Sequence, residues 1–159
     1  MLTDAQIEDV WSRKLDAETR SLYFADLANR YSGRKQVITF VTFFLSSGAA
    51  ATLVGKAPAW VPLVLSVMVA ALAAYSVALD LERLVRTMAK LHYSWSRIAT
   101  DYDRLWNHTY DADAESIYED LLRREADLSE LATTDAPNDQ KLLGKWQDQV
   151  IQQYYPGNA

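Results

Sequence analysis

Two stretches of this chain carry no charged side chain, and they are separated by a single lysine. VITFVTFFLSSGAAATLVG fills residues 37–55, APAWVPLVLSVMVAALAAYSVAL fills residues 57–79, and Lys56 stands alone between them. A helix rises about 1.5 Å per residue, so each stretch is long enough for a hydrocarbon layer of roughly 30 Å. Gly55-Lys56-Ala57-Pro58 reads as the turn between them, with glycine closing one helix and proline opening the next. Pro62 is an alternative first turn, and Trp60 falls where an interfacial aromatic belongs. A soluble core helix normally keeps a polar stripe, and neither stretch has a charged one. The pattern therefore predicts a transmembrane hairpin, with spans at about 37–55 and 59–79, rather than a buried soluble hairpin.

Outside the hairpin the hydrophobic period is helical. Leu81, Leu84, Met88, Leu91, Trp95, Ile98, Tyr102 and Leu105 alternate at spacings of three and four, which is a heptad seam. With no glycine or proline between Leu63 and Pro137, one unbroken helix from Pro62 to about His108 is expected. Before the hairpin, Thr3-Asp4-Ala5-Gln6 has the form of a capping box. The stripe predicted beyond it is Ile7, Val10 or Trp11, Leu15, Leu22 and Ala25, antiparallel to the exit helix. A further helix is predicted over 115–132, with Ile117 or Tyr118, Leu121, Leu128 and Leu131 on one face. The last spans 139–155 with Leu142, Leu143, Trp146, Val150 and Tyr154. No strand pattern occurs. The predicted fold is all-α: a two-helix transmembrane hairpin with a long membrane-exiting helix packed in a cytosolic helical bundle. Its parts are an N-terminal cytosolic helix (1–35), the hairpin (36–79), the long helix and its successor (80–132), and a C-terminal helix (138–159).

Charge sharpens this picture. All 21 Asp and Glu residues, and every Lys and Arg except Lys56, lie outside the two apolar stretches. Arg30, Arg34 and Lys35 precede the first stretch, and Arg83, Arg86 and Lys90 follow the second. By the positive-inside tendency both termini are expected in the cytoplasm of a multi-pass inner-membrane protein. The polar N-terminus MLTDAQIEDVW predicts no cleavable signal. A net charge of −5 argues against a nucleic-acid partner, and the absence of cysteine removes disulfides and thiolate chemistry. Within the spans, Ser66, Ala70, Ala74 and Ala78 recur every fourth position, and Gly48 lies in a small-residue run of the first span. Such faces let membrane helices approach closely, within one chain or between copies.

Little in the sequence suggests catalysis, and no catalytic, cofactor or metal site is assigned. Arg86 and His92 match the loose R-x(4–6)-H spacing of HEPN-type ribonucleases. On one helix, however, six residues turn them about 120° apart, so a packed histidine is the competing role. Arg104 and His108 share a face as surface neighbours. Asp80 is the acid nearest the apolar stretch; it either lines a pore mouth or pairs with Arg83. The five glycines are scattered and form no phosphate loop, and two isolated histidines make no metal site.

Over about residues 17–132 the chain resembles the SLATT proteins, two-transmembrane effectors associated with SMODS nucleotidyltransferase and SLOG domains in bacterial conflict systems. The resemblance rests on the basic approach ANRYSGRK (28–35), the short-looped hairpin, and the helix LVRTMAKLHYSWSRIATDYDRLW (84–106) with its spacing of His92, Ile98, Tyr102 and Leu105. It implies a homo-oligomeric membrane effector that forms a pore or disrupts the bilayer when triggered by a nucleotide-second-messenger synthase or another defence component. A non-conducting anchor that recruits a cytosolic enzyme is the alternative, and a membrane-bound HEPN-like ribonuclease is a third. A similar layout of membrane helices with an R-x(4–6)-H helix occurs in a small accessory protein of some type VI CRISPR loci. The resemblance carries over no catalytic residues, and the segment past Pro137 lies outside it.

Overall fold

The computed structural model describes residues 1–46, 58 and 60–156, and among these the fold is all-helical. In chain order the helices are α1 (Asp4–Ser46), α2 (Trp60–Ala78), α3 (Leu81–Asn107), α4 (Ala114–Asp135) and α5 (Gln140–Tyr154). The expected turn around Lys56, together with Gly48, lies outside the described residues.

Local chemistry sets the helix ends. Thr3 and Gln6 form the reciprocal capping box at the start of α1: the Thr3 amide donates to the Gln6 side chain at 2.9 Å, and the Gln6 amide donates to the Thr3 hydroxyl at 3.4 Å. Asp139 caps α5 by accepting from the Leu142 amide at 3.1 Å. α2 begins at Trp60, so Pro62 falls in its first turn, where the missing N–H has no helical partner to lose. The expected unbroken helix from Pro62 to His108 is divided. α2 ends at Ala78, and Asp80 adopts a φ of 40° before α3 begins at Leu81. Aspartate is among the few non-glycine residues that enter this left-handed region readily, so no glycine or proline was needed to break the helix.

The chain divides into two compact units, Met1–Leu27 with Thr87–Ala159, and Ala28–Arg86. These cuts differ from the expected ones at 35/36 and 79/80.

In the first unit the α3 seam forms the core. Met88, Leu91, Trp95, Ile98, Tyr102 and Leu105 are all buried, none more than 3 % exposed. Each such side chain contributes roughly 1.5–3 kcal/mol by leaving water, against at most about 1 kcal/mol for a surface ion pair, so this seam dominates the unit's stability. α4 contributes Tyr118 and Leu121 to the core, and α5 contributes Leu142 and Val150. Of the two alternatives on α4, Tyr118 points inward and Ile117 is exposed. The buried row of α1 differs from the predicted stripe: it runs through Val10, Lys14, Ala17, Ser21 and Phe24. Ile7, Trp11, Leu15, Leu22 and Ala25 are half-buried flanks. The true row also has a heptad spacing, but Lys14 and Ser21 disguise it in a search for apolar residues. The N-terminus is tied down where the Leu2 amide donates to the Thr109 carbonyl at 3.0 Å.

The second unit holds residues 28–46 of α1, all of α2, and the first turns of α3. On α2 the half-buried positions are Val61, Leu65, Val69, Leu72 and Ser76; on α1 a half-buried row runs through Tyr31, Lys35, Ile38, Thr42 and Leu45, with Ala28, Ser32 and Val41 half-buried beside it. Both rows follow spacings of three and four. The remaining apolar side chains point outward: Phe40, Phe43, Leu63, Val67 and Val77 are 63–81 % exposed. The helical stretch Leu63–Asn107, which takes in α2 and α3, is long and apolar enough to cross a membrane, with a mean hydropathy of 2.0 over its apolar window and none of that window buried. It is the one such stretch among the described residues. Of the expected first span, only residues 37–46 are described, as the end of α1.

Candidate functional site

Each residue singled out for chemistry has a structural partner. Asp80 is the N-cap of α3. Its carboxylate accepts from the Arg83 amide at 3.3 Å, and its carbonyl accepts from the Leu84 amide at 3.1 Å. Asp80 therefore holds the backbone of Arg83, the residue the sequence paired it with. Arg86 is exposed and forms an i,i+4 ion pair with Glu82 on its own helix. Lys35 reaches the same carboxylate from α1, at 3.7 Å. The hydrogen bond from Arg86, followed by the charges of Lys35 and Arg86, holds the Glu82 carboxyl below its usual range.

His92 is a packed histidine. Its Nδ1 lies 2.9 Å from the Ser21 carbonyl and 3.0 Å from the Ser21 hydroxyl. A carbonyl only accepts, so Nδ1 carries the proton and donates it to Ser21. The Ser21 hydroxyl in turn donates to the His92 carbonyl at 3.4 Å. This exchange fixes α1 to α3 side by side.

The largest polar cluster lies at the junction of α1, α3 and α4, and the sequence reading missed it. Arg13 donates to Asp9 and, at 3.0 Å, to Glu125. Glu125 also accepts from the Tyr102 hydroxyl at 2.8 Å, and Tyr118 donates to Asp9. Burial alone would raise the Asp9 pKa, but the bonds from Tyr118 and Arg13 outweigh it and hold the carboxyl below the usual value. Burial and then the bond to Glu125 push the Tyr102 hydroxyl well up. Arg13 is held more firmly protonated: burial opposes its charge, but Asp9 and Glu125 overcome that. Every member is bonded to another member, so the cluster fixes helix register. Its signal in the sequence was a tyrosine at seam position 102, whose hydroxyl requires a partner once buried.

A second set of polar and aromatic contacts docks α5. Lys14 pairs with Asp103 and lies over the rings of Trp11 and Tyr154, at 4.8 and 5.0 Å. The Trp146 indole donates to Asp26 at 3.2 Å, Trp11 donates to the Tyr155 hydroxyl at 2.9 Å, and Tyr154 donates to Glu18 at 3.3 Å. The Tyr23 hydroxyl donates to the Pro137 carbonyl and accepts from the Asp139 amide. The segment past Pro137, which had no place in the family pattern, is part of this unit.

An open groove of about 550 Å³ runs along α3 and α4, lined by Arg97, Asp101, Arg104, His108 and Arg124 among others. Several of its polar groups are paired: Asp101 meets Arg124 at 3.4 Å and Arg104 at 3.6 Å, and His108 Nδ1 lies 3.1 Å from Asp111. Among the described residues no cluster of His, Asp or Glu could hold a metal ion.

The small-residue ladder is placed differently from the seam. Ser66, Ala70, Ala74 and Ala78 are all exposed on α2, outside its half-buried row. On α3, Leu84 is half-buried and the seam positions beyond it are covered by the chain's own helices.

Taken together, fold and site define an all-helical protein that pairs a polar-networked bundle with an outward-facing apolar helix of membrane-spanning length. Comparison with protein families, curated proteins and solved structures found no match, so the family expectation rests on the residues quoted for it.

Proposed function

We propose that this chain is a two-span inner-membrane protein with both termini and its helical bundle in the cytoplasm. In this reading it acts without catalysis, as an effector that assembles in the bilayer and opens or disrupts it when a partner triggers it. The observation that carries the reading is the outward apolar surface of α2, none of whose apolar window is buried. In water such a surface would be a continuous aggregation hazard, and in lipid it is the ordinary exterior of a spanning helix. The exposed Ser66–Ala78 ladder supports assembly through this same helix, because small side chains let a neighbouring backbone approach. The assignment to bacterial defence, and to a trigger such as a nucleotide-second-messenger synthase, follows the SLATT resemblance.

The anchor reading has an observation of its own. From Met88 to Leu105 the α3 seam is buried inside the chain, so among the described residues this part of the bundle presents no open heptad for self-assembly. The nuclease reading has less behind it, because His92 packs against Ser21 while Arg86 pairs with Glu82 on the exposed face of α3.

Ala70→Leu with Ala74→Leu separates the two surviving readings, because it adds bulk to the ladder while keeping α2 apolar. Assembly through the ladder predicts that cross-linked oligomers and depolarisation on overexpression are both lost while the protein still fractionates with membranes. Undiminished assembly and depolarisation would contradict it.

A further inference from the structure

The two units differ sharply in charge. Residues 1–27 and 87–159 contain ten Lys and Arg against nineteen Asp and Glu, whereas residues 28–86 contain six against two. An acidic protein thus has one basic zone. Apart from Lys56, its cations occupy two short segments flanking the apolar region: Arg30, Arg34 and Lys35 on α1, and Arg83 and Arg86 on α3. The Lys35–Glu82 pair, at 3.7 Å, brings the two segments to one level within this unit. Arg34 is exposed and lies 5.8 Å from the Tyr31 ring; Arg83 and Arg86 are exposed as well. The two acids of the zone are already engaged, Asp80 as the cap of α3 and Glu82 shared by Arg86 and Lys35. Five cations against two acids leave a surplus of three positive charges.

We propose that this basic collar is a binding surface for anionic phospholipid headgroups, with Arg34, Arg83 and Arg86 as its principal contacts. The inference rests on the membrane reading and adds to it the lipid class recognised. Charge complementarity selects the occupant. Guanidinium groups pair with phosphate oxygens in a fork geometry, and the collar adjoins the apolar helix that would place it at headgroup depth. Each cation near an anionic leaflet strengthens association several-fold. A preference for anionic over zwitterionic lipid on the order of tenfold or more is the net expectation.

The test uses the full chain in a neutral detergent, titrated with phosphatidylglycerol or with phosphatidylcholine and followed by its thermal unfolding. Phosphatidylglycerol is expected to raise the midpoint at concentrations about tenfold lower than phosphatidylcholine, with the difference shrinking as salt is added. Arg34→Gln, Arg83→Gln and Arg86→Gln together should erase the difference while leaving the lipid-free midpoint in place. The three corresponding lysine substitutions should retain most of it. Equal responses of the unsubstituted protein to the two lipids would overturn the collar and leave the membrane reading intact. An equal rise with soluble glycerol phosphate would also overturn it, by showing a general anion site. A protein that stays monodisperse without detergent and gains nothing from either lipid would overturn both.

Discussion

The polar residues that matter most here are those a hydropathy search passes over. Tyr102 sits fully buried in the α3 seam because Glu125 accepts its hydroxyl and Arg13 neutralises Glu125. Tyr102→Phe removes one bond to a charged group and should cost about 1.5 kcal/mol, read as a lower midpoint in urea. A value indistinguishable from zero would mean that the cluster is ornamental. The same groups set the pH response. Tyr102, Tyr118 and Tyr154 are all held protonated in the fold, by burial first and by their carboxylate partners next. Such groups stabilise the fold below their unfolded pKa, here the ordinary 10.0, and that stability is lost as pH rises beyond it. Asp9, held low, contributes above its ordinary 3.8 and is lost as pH falls through its folded value. The urea midpoint should therefore decline above pH 10, and less steeply in Tyr102→Phe. Parallel declines would contradict the role given to this hydroxyl. The seam itself was legible because Met88 to Leu105 repeat at helical spacing. Its partner row on α1 was not, because Lys14 and Ser21 occupy buried heptad positions through a salt bridge to Asp103 and an exchange with His92 that no single-helix pattern reveals.

At the level of elements, the break between α2 and α3 is the feature that helix propensity alone does not foresee. Nothing between Leu63 and Pro137 has the usual composition of a breaker, yet Asp80 turns through a positive φ and caps the next helix. Asp80→Leu loses the cap and places a bulky residue in the left-handed region, which should cost about 2 kcal/mol. Asp80→Asn, which keeps both properties, should cost far less. Equal losses in the two variants, measured as thermal midpoints in detergent, would contradict the capping role. The capping box at Thr3 and Gln6 was legible because its chemistry is local. The docking of α5 was not, because Trp146 to Asp26 and Tyr154 to Glu18 join residues more than a hundred positions apart. Removing residues 138–159 would take one contact each from Trp11, Tyr23 and Lys14, so a truncation there disturbs the bundle before it tests any external partner.

For the whole molecule, the partition of charge and apolarity carries the account. A soluble bundle buries its apolar helices; this chain buries the seam of α3 and leaves the faces of α2 and of residues 37–46 open. The apolar helix α2 was legible from its long uncharged run alone; the first span expected at 37–55 is described only over residues 37–46, the turn lies outside the described residues, and the hairpin belongs to the proposal. The most direct measurement is the mass of the purified chain in aqueous buffer with and without detergent, by light scattering with refractive-index detection. The account predicts a discrete particle with bound detergent and loss of that particle to aggregates when detergent is removed. A monodisperse monomer of 18.0 kDa in plain buffer would contradict it, because the exposed apolar face of α2 would then have to be covered within the chain.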